Sequence, residues 1–281
     1  VSEQLIRLGH SPDPDDAFMF YALAEGLIPM DGFRFEHVLR DIETLNRWAA
    51  EGRLEVTALS VHAYAHLADR YRLLPHGASM GERYGPIVVA RQGLDPVELP
   101  RRRVAIPGTL TSAFLQLQLA VGRIEDPIVL PFDEILDAVA EGRVEAGLII
   151  HEGQLTYGAQ GLVSVLDLGE WWDGETGGLP LPLGANAVRR DLGEDVMRRL
   201  SRLLRESIEY GLENRPAALA HAARYGRGLD DALADRFVGM YVNHRTLDYG
   251  EDGRRAVAEL LRRGHEAGLV PGPVRVDFIE E

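Results

Sequence analysis

Apolar and polar positions alternate in blocks along the first ninety residues. Leu5–Gly9 is a short apolar run that stops at Ser11-Pro12. Asp15–Glu25 follows, with Phe18, Tyr21 and Ala22 at spacings of three and four, which predicts a helix. Asp13, Asp15 and Asp16 stand at its start, where carboxylates suit the positive end of the helix dipole. Phe33–Val38 and Glu55–Ser60 read as strands, with the helix Ile42–Glu51 between them, stopped by Gly52. A helix containing Tyr64–Leu67 comes next. Strands at Leu73–Leu74 and Ile87–Ala90 then flank a Gly-rich loop, Gly77–Gly85. Strands separated by single helices imply parallel βαβ units.

A polar, Pro-containing connector, Gln92–Arg102, leads to a second unit of the same kind. Its strands are predicted at Val104–Ile106, Ile128–Leu130, Ala146–Ile150 and Leu162–Leu166, with helices at Thr111–Val121 and Asp133–Glu141. Gly174–Gly184, dense in Gly and Pro, reads as a return crossing. From Glu194 to Ala267 the pattern is helical, with breaks near Pro216, Gly228 and Gly250. An α/β lobe interrupted by a second α/β lobe is the order of a type II periplasmic-binding-protein-like fold. The expected division is residues 1–92 plus 179–281 for the first lobe and 93–178 for the inserted one. Two hinge crossings join them, and a ligand cleft lies between, at the carboxyl ends of the strands.

Composition narrows the chemistry. The formal net charge of −14 argues against nucleic acid as a partner. No run approaches the roughly 18 apolar residues of a membrane span. Val1–Gly9 lacks the basic region and long apolar stretch of a secretion signal, so a cytoplasmic protein is expected. There is no cysteine, and all 30 basic residues are Arg. Thiolate nucleophiles, Cys-type metal centres, Schiff-base lysines and Walker A loops are therefore excluded. His, Asp, Glu, Ser, Thr, Tyr and Arg remain.

Among these, His151 ends the apolar run Leu148-Ile149-Ile150, so a buried strand delivers it to the cleft edge. It is either a group for proton transfer near neutral pH or a loop histidine with one hydrogen bond. Thr109, Thr111 and Ser112 precede a helix, where amides and hydroxyls either bind an oxyanion or simply cap the helix. Ser11 and Ser60 end strands in the other lobe. Asp13-x-Asp15 resembles part of a metal shell, but hard cations want more converging oxygens than this segment offers, so no metal is expected. His62 and His66 are four apart without a third ligand and read as a surface helix pair. Trp171-Trp172 either walls the cleft or packs at the lobe junction.

Several segments together resemble one family. They are Ser11-Pro12-x-Pro14-x-Asp16-x-Phe18, Asp41-Ile42-Glu43-Thr44-Leu45-Asn46, Leu59-Ser60, Thr111-Ser112, Gly147-Leu148-Ile149-Ile150-His151-Glu152 and Leu179-Pro180-Leu181-Pro182-Leu183-Gly184. Over nearly its whole length the chain resembles the MqnD branch of the menaquinone-biosynthesis proteins, the 1,4-dihydroxy-6-naphthoate synthases. The resemblance implies a type II solute-binding fold and a cofactor-free intracellular lyase of the futalosine route. That lyase converts cyclic dehypoxanthine futalosine, a small-molecule carboxylate, into the naphthoate. It implies a base at His151 and a substrate site drawn from Ser11, Asp15, Ala58, Leu59, Ser60, Thr111 and Ser112. The family typically has Ser-Pro-Cys-Pro-Asn-Asp where this chain has Asp13 and Asp15, and Thr-Lys-Leu-Ser where it has Ala58. Those changes remove a cation from the expected cleft and add carboxylates, which disfavours an anionic ligand unless Arg, backbone amides or protons compensate. The alternative is a solute receptor of the same fold without chemistry, since fold alone does not fix function.

Overall fold

The computed structural model describes residues 3–226 and 230–280. The chain begins with β1 (Gln4–His10), α1 (Pro14–Met19), α2 (Tyr21–Ala24), β2 (Phe33–Leu39), α3 (Ile42–Ala50), β3 (Val56–Ser60) and α4 (Val61–Tyr64). Strands β4 (Tyr71–Leu73) and β5 (Ser79–Gly81) follow. The next block is β6 (Ile87–Ala90), β7 (Val104–Ile106), α5 (Ser112–Val121), β8 (Pro127–Val129), α6 (Ile135–Ala140), β9 (Ala146–Ile149), α7 (Gly153–Thr156), β10 (Val163–Asp167) and α8 (Leu168–Thr176). The chain ends with β11 (Leu181–Arg189), α9 (Glu194–Glu213), α10 (Arg215–Ala222), α11 (Asp231–Tyr241), α12 (His244–Leu247) and α13 (Gly250–Glu266).

Two separate sheets result. The first has the order β2-β1-β3-β11-β4, with β5 also paired to β11. The second has the order β10-β6-β9-β7-β8. β1, β2 and β3 are parallel, as their intervening helices require, and so are β7, β8 and β9. The chain passes from the first sheet to the second between β5 and β6 and returns between α8 and β11, so it crosses twice.

The crossings lie elsewhere than the composition suggests. Ile87–Ala90 pairs with β9 and β10, so it belongs to the second sheet and the outward crossing falls at residues 82–86. The polar stretch 92–102 contains a 3₁₀ helix, Pro96–Arg101, inside the second lobe. Four buried apolar residues with no helix before them fit either sheet, and only partners decide which. The Gly- and Pro-rich segment 174–184 is mostly regular structure. It holds the end of α8 and the start of β11, and the return crossing shrinks to residues 177–180. Pro182 is tolerated in β11 because the pairing with β5 shifts register between Pro182 and Gly184. The tail is helical as expected, with the α9–α10 break at Asn214 and another before Gly250; Gly228 lies outside the described residues.

Helix starts follow local chemistry. The Asp41 side chain accepts the Thr44 N–H at 2.9 Å and starts α3. Thr111 does the same for α5 through the Phe114 N–H at 3.3 Å. One apolar core joins both lobes through β11, α4, α5 and α13, with Leu115, Leu117, Val257 and Leu260 fully buried. A second packs α1 and α9–α11 onto the first sheet, and a third packs α6 onto the second.

At Gly9 in β1, a Cβ would meet Leu54 Cδ1 at 2.6 Å, Leu45 Cδ2 at 2.8 Å and Thr57 Oγ1 at 2.9 Å. Gly9→Ala is therefore expected to destabilise the protein by about 1–3 kcal/mol, the usual cost of overpacking. A urea midpoint equal to the wild type's would contradict this packing of β1 against α3 and β3.

Candidate functional site

A cavity of about 770 Å³, part of it open to solvent, lies between the lobes. Its first-lobe wall comes from the carboxyl ends of β1 and β3, the start of α1, and Leu183–Ala185 of β11. Its second-lobe wall comes from Thr111–Ala113 at the start of α5 and from Ile150 after β9. Parallel strands release their side chains at this end, where helix starts also point.

Six of the expected ligand residues meet here: Ser11, Asp15, Ala58, Ser60, Thr111 and Ser112. Leu59 does not line the cavity. It points into the core joining the lobes, because successive residues of β3 face opposite sides of the sheet and Ala58 and Ser60 take the cavity side. Phe237 and Tyr241 of α11 line the cavity too, as do Gly77, Ser79 and the β11 residues. The alternation of Leu181, Leu183 and Ala185 was the available signal for β11. Nothing in the local sequence of α11 marks a cavity wall.

Polar geometry distinguishes these groups. The Asn46 side chain accepts the Ser60 N–H at 3.0 Å and donates to Ser60 Oγ at 3.1 Å, which fixes that hydroxyl as an acceptor and leaves its proton for the cavity. Thr111 Oγ1 donates to the Gly108 carbonyl at 3.0 Å. Ser112 Oγ donates to the Leu183 carbonyl at 2.5 Å and accepts the His62 N–H at 3.3 Å. The hydroxyls at the start of α5 thus serve the framework. What they leave to a ligand is the first amides of a ten-residue helix, which lack intrahelical acceptors. His62 is buried, with Nδ1 3.3 Å from the Thr111 carbonyl, so it is a contact between lobes and not a surface residue. Trp172 is fully buried and donates Nε1–H to the Pro180 carbonyl at 2.9 Å; it packs behind the crossing and not in the cavity.

The carboxylates of Asp13, Asp15 and Asp16 all reach the cavity and lie within 4.8 Å of one another. No Arg lines it. Burial, followed by the charge of a neighbouring aspartate, pushes the Asp13 and Asp16 carboxyls well above the usual carboxylate range and Asp15 up to about 7. Glu152 from the second lobe adds to the repulsion on Asp13 and Asp15. A backbone hydrogen bond offsets part of the shift at each of the three, and at Asp16 it is the Ser11 N–H, 2.6 Å from Oδ2. Carboxyls shifted in this direction keep protons above the usual range, and a protonated carboxyl donates a hydrogen bond.

His151 stands beside the cavity and does not line it. It follows β9 as expected, but its Nδ1 accepts the Gly153 N–H at 3.0 Å and its Nε2 lies 2.8 Å from the Phe132 carbonyl. That pattern places the ring proton on Nε2, donated to Phe132. Both ring nitrogens are therefore engaged away from a ligand in this conformation. The adjacent Ile150 faces the cavity, and neighbours in an extended segment point opposite ways.

The profile of a family described as menaquinone biosynthesis matches residues 6–266. The chain is 47% identical to the 1,4-dihydroxy-6-naphthoate synthase of Thermus thermophilus, across 98% of this chain and 100% of that one. It is 36% identical to the synthase of the same name from Streptomyces coelicolor, across 99% and 100%. The crystal structure of protein AF1704 from Archaeoglobus fulgidus superposes with a TM-score of 0.90 at 48% identity, covering 95% of this chain and 98% of that one. The alkanesulfonate-binding protein SsuA of Xanthomonas axonopodis pv. citri, bound to MOPS, gives a TM-score of 0.70 at 16% identity, covering 98% and 97%. That last likeness shows the type II periplasmic-binding-protein fold.

The raised aspartates set a sign for stability against pH. The folded state holds protons that the unfolded chain releases near pH 4, so these groups cost stability increasingly as pH rises from there toward 7. Asp15→Asn is expected to stabilise the protein by on the order of 1–3 kcal/mol at pH 8, and the gain should vanish near pH 4. Thermal melts of both proteins across that range test this. A gain independent of pH would sink it, and a rise of several degrees in the wild type with millimolar Mg²⁺ or Ca²⁺ would show a cation in place of the protons.

Proposed function

This chain belongs to the menaquinone-biosynthesis family, and from that premise we propose that it converts cyclic dehypoxanthine futalosine to 1,4-dihydroxy-6-naphthoate. The observation carrying this reading is the meeting of Ser60, Thr111 and Ser112 from two lobes in one cavity. The substrate's carboxylate takes the first amides of α5 and the Ser60 hydroxyl, since no guanidinium lines the cavity among the described residues. Protonated carboxyls among Asp13, Asp15 and Asp16 face the polar part of the substrate as donors, which removes the conflict between an acidic cleft and an anionic ligand. The apolar side chains of Met19, Ile42, Ile150, Leu183 and Phe237 hold the ring system away from water.

His151 is the proposed base. To act, its ring leaves Phe132 and Gly153 and turns toward the cavity, freeing one nitrogen to remove a proton from bound substrate.

Replacing His151 by Ala is expected to lower turnover by roughly 10²–10⁴ while ligand affinity stays within a few-fold. Product absorbance and calorimetry on one preparation measure both. Turnover equal to the wild type's removes His151 from the mechanism. Wild-type protein that binds the substrate tightly and never yields product would point to a receptor.

A further inference from the structure

The motif residue Glu43 takes no part in the mechanism above, yet it is a buried carboxylate at the junction of the lobes. It sits in the first turn of α3, in the first lobe. Its Oε2 accepts the N–H of Leu110 at 3.0 Å, and its Oε1 lies 3.3 Å from Thr109 Oγ1, both in the second lobe. Three residues along the same helix face, Asn46 Nδ2 reaches the carbonyl of that same Leu110 at 3.5 Å, and Asn46 is itself tied to Ser60. So α3 holds the amide and the carbonyl of one residue, in the turn that immediately precedes Thr111 and Ser112. Gly108 completes the fit: a Cβ there would meet Glu43 Oε2 at 2.3 Å, Cδ at 2.5 Å and Cβ at 2.6 Å.

A negative charge at this place needs a reason. It stands next to amides proposed to receive an anion, where a bare carboxylate would repel the ligand. Arg47 answers that charge, with its Nη2 3.1 Å and Nε 3.2 Å from Glu43 Oε1. The pair leaves the acceptor geometry of the carboxylate in place while cancelling most of its field.

We propose that Glu43 is a positioning residue that, through Leu110, aims the first amides of α5 at the substrate's carboxylate. This inference rests on the carboxylate lying at those amides. Glu43 touches no substrate. It fixes the turn 108–112 relative to Ser60, so that donors from two lobes converge on one group. The Leu110 N–H and carbonyl belong to the two peptide planes on either side of its Cα, so holding both restrains the turn that leads into Thr111, and an amide turned by a few tens of degrees loses most of a hydrogen bond.

The test compares calorimetric affinity for 1,4-dihydroxy-6-naphthoate and for 1,4-dihydroxynaphthalene, which lacks the carboxylate, both kept reduced. Wild type is expected to prefer the naphthoate, and Glu43→Ala to reduce that preference about 10-fold, the effect of one misaligned charge-assisted hydrogen bond, with affinity for the naphthalene unchanged. Glu43→Gln keeps an acceptor for Leu110 and is expected to restore the preference to within about 3-fold. Gly108→Ala, which displaces Glu43 without removing it, is expected to behave like Glu43→Ala and serves if that variant fails to fold. Undiminished preference in the Ala variants overturns the role of Glu43 alone. A Gln variant as poor as Ala also overturns it, because charge and not positioning would then be the cause. Wild type with no preference between the two probes overturns the carboxylate site and this inference with it.

Discussion

Strand β11 lies between β3 and β4 and hydrogen-bonds to both, so the first sheet is continuous only after the chain has returned from the second lobe. Its register sets Gly184 opposite Ser60 and Ala185 opposite Leu59. The same strand also holds the second lobe. The Leu183 carbonyl accepts from Ser112 Oγ, and the Pro182 carbonyl accepts from Gln116 Nε2 at 2.6 Å. Pro182 gives up no needed donor at a register shift, and its carbonyl is free to reach across. One strand therefore closes a sheet, forms part of the cavity wall, and orients the helix whose amides face the ligand.

That arrangement explains why the lobes meet so differently on their two sides. Where α4, α5 and α13 pack around β11, the contact is mostly apolar, pinned by the Ser112 and Gln116 hydrogen bonds to β11, and it resists relative motion. Around the cavity the contacts are more polar and include Glu43 and Asn46 to the turn before α5 and Tyr241 OH to Gln154 Oε1 at 2.9 Å. Ligand exchange belongs to the polar side, where hydrogen bonds can be traded for water at small net cost.

Electrostatics follow the same division. Glu55, at the opposite end of β3 from the cavity, is buried, but hydrogen bonds from Arg7 at 2.7 and 2.9 Å outweigh that burial and hold its carboxyl below the usual range. Asp13, Asp15 and Asp16 are desolvated in the cavity wall and have no cation among the described lining residues, so they move the other way. All of these carboxyls are desolvated, and the partner decides the direction. An acidic sequence segment gains affinity for protons through that difference.

The sequence by itself determined the two-lobe plan, the parallel units and six of the residues that line the cavity. Period-two and period-3.6 patterns are local properties, and strand ends carrying Ser11, Ser60 and Thr111 follow from them. It also limited the chemistry, because absent Cys and Lys are absent in any fold. Tertiary structure alone decided the rest. Whether Ile87–Ala90 joined one sheet or the other depended on partners more than fifty residues away. The face presented by Leu59 depended on which side of β3 became cavity, and the orientation of His151 on the Phe132 carbonyl and the Gly153 amide. The upward shift of the aspartates depended on burial with no cation among the described lining residues. Each of these is a long-range pairing or desolvation energy, and such terms exist only once distant segments meet.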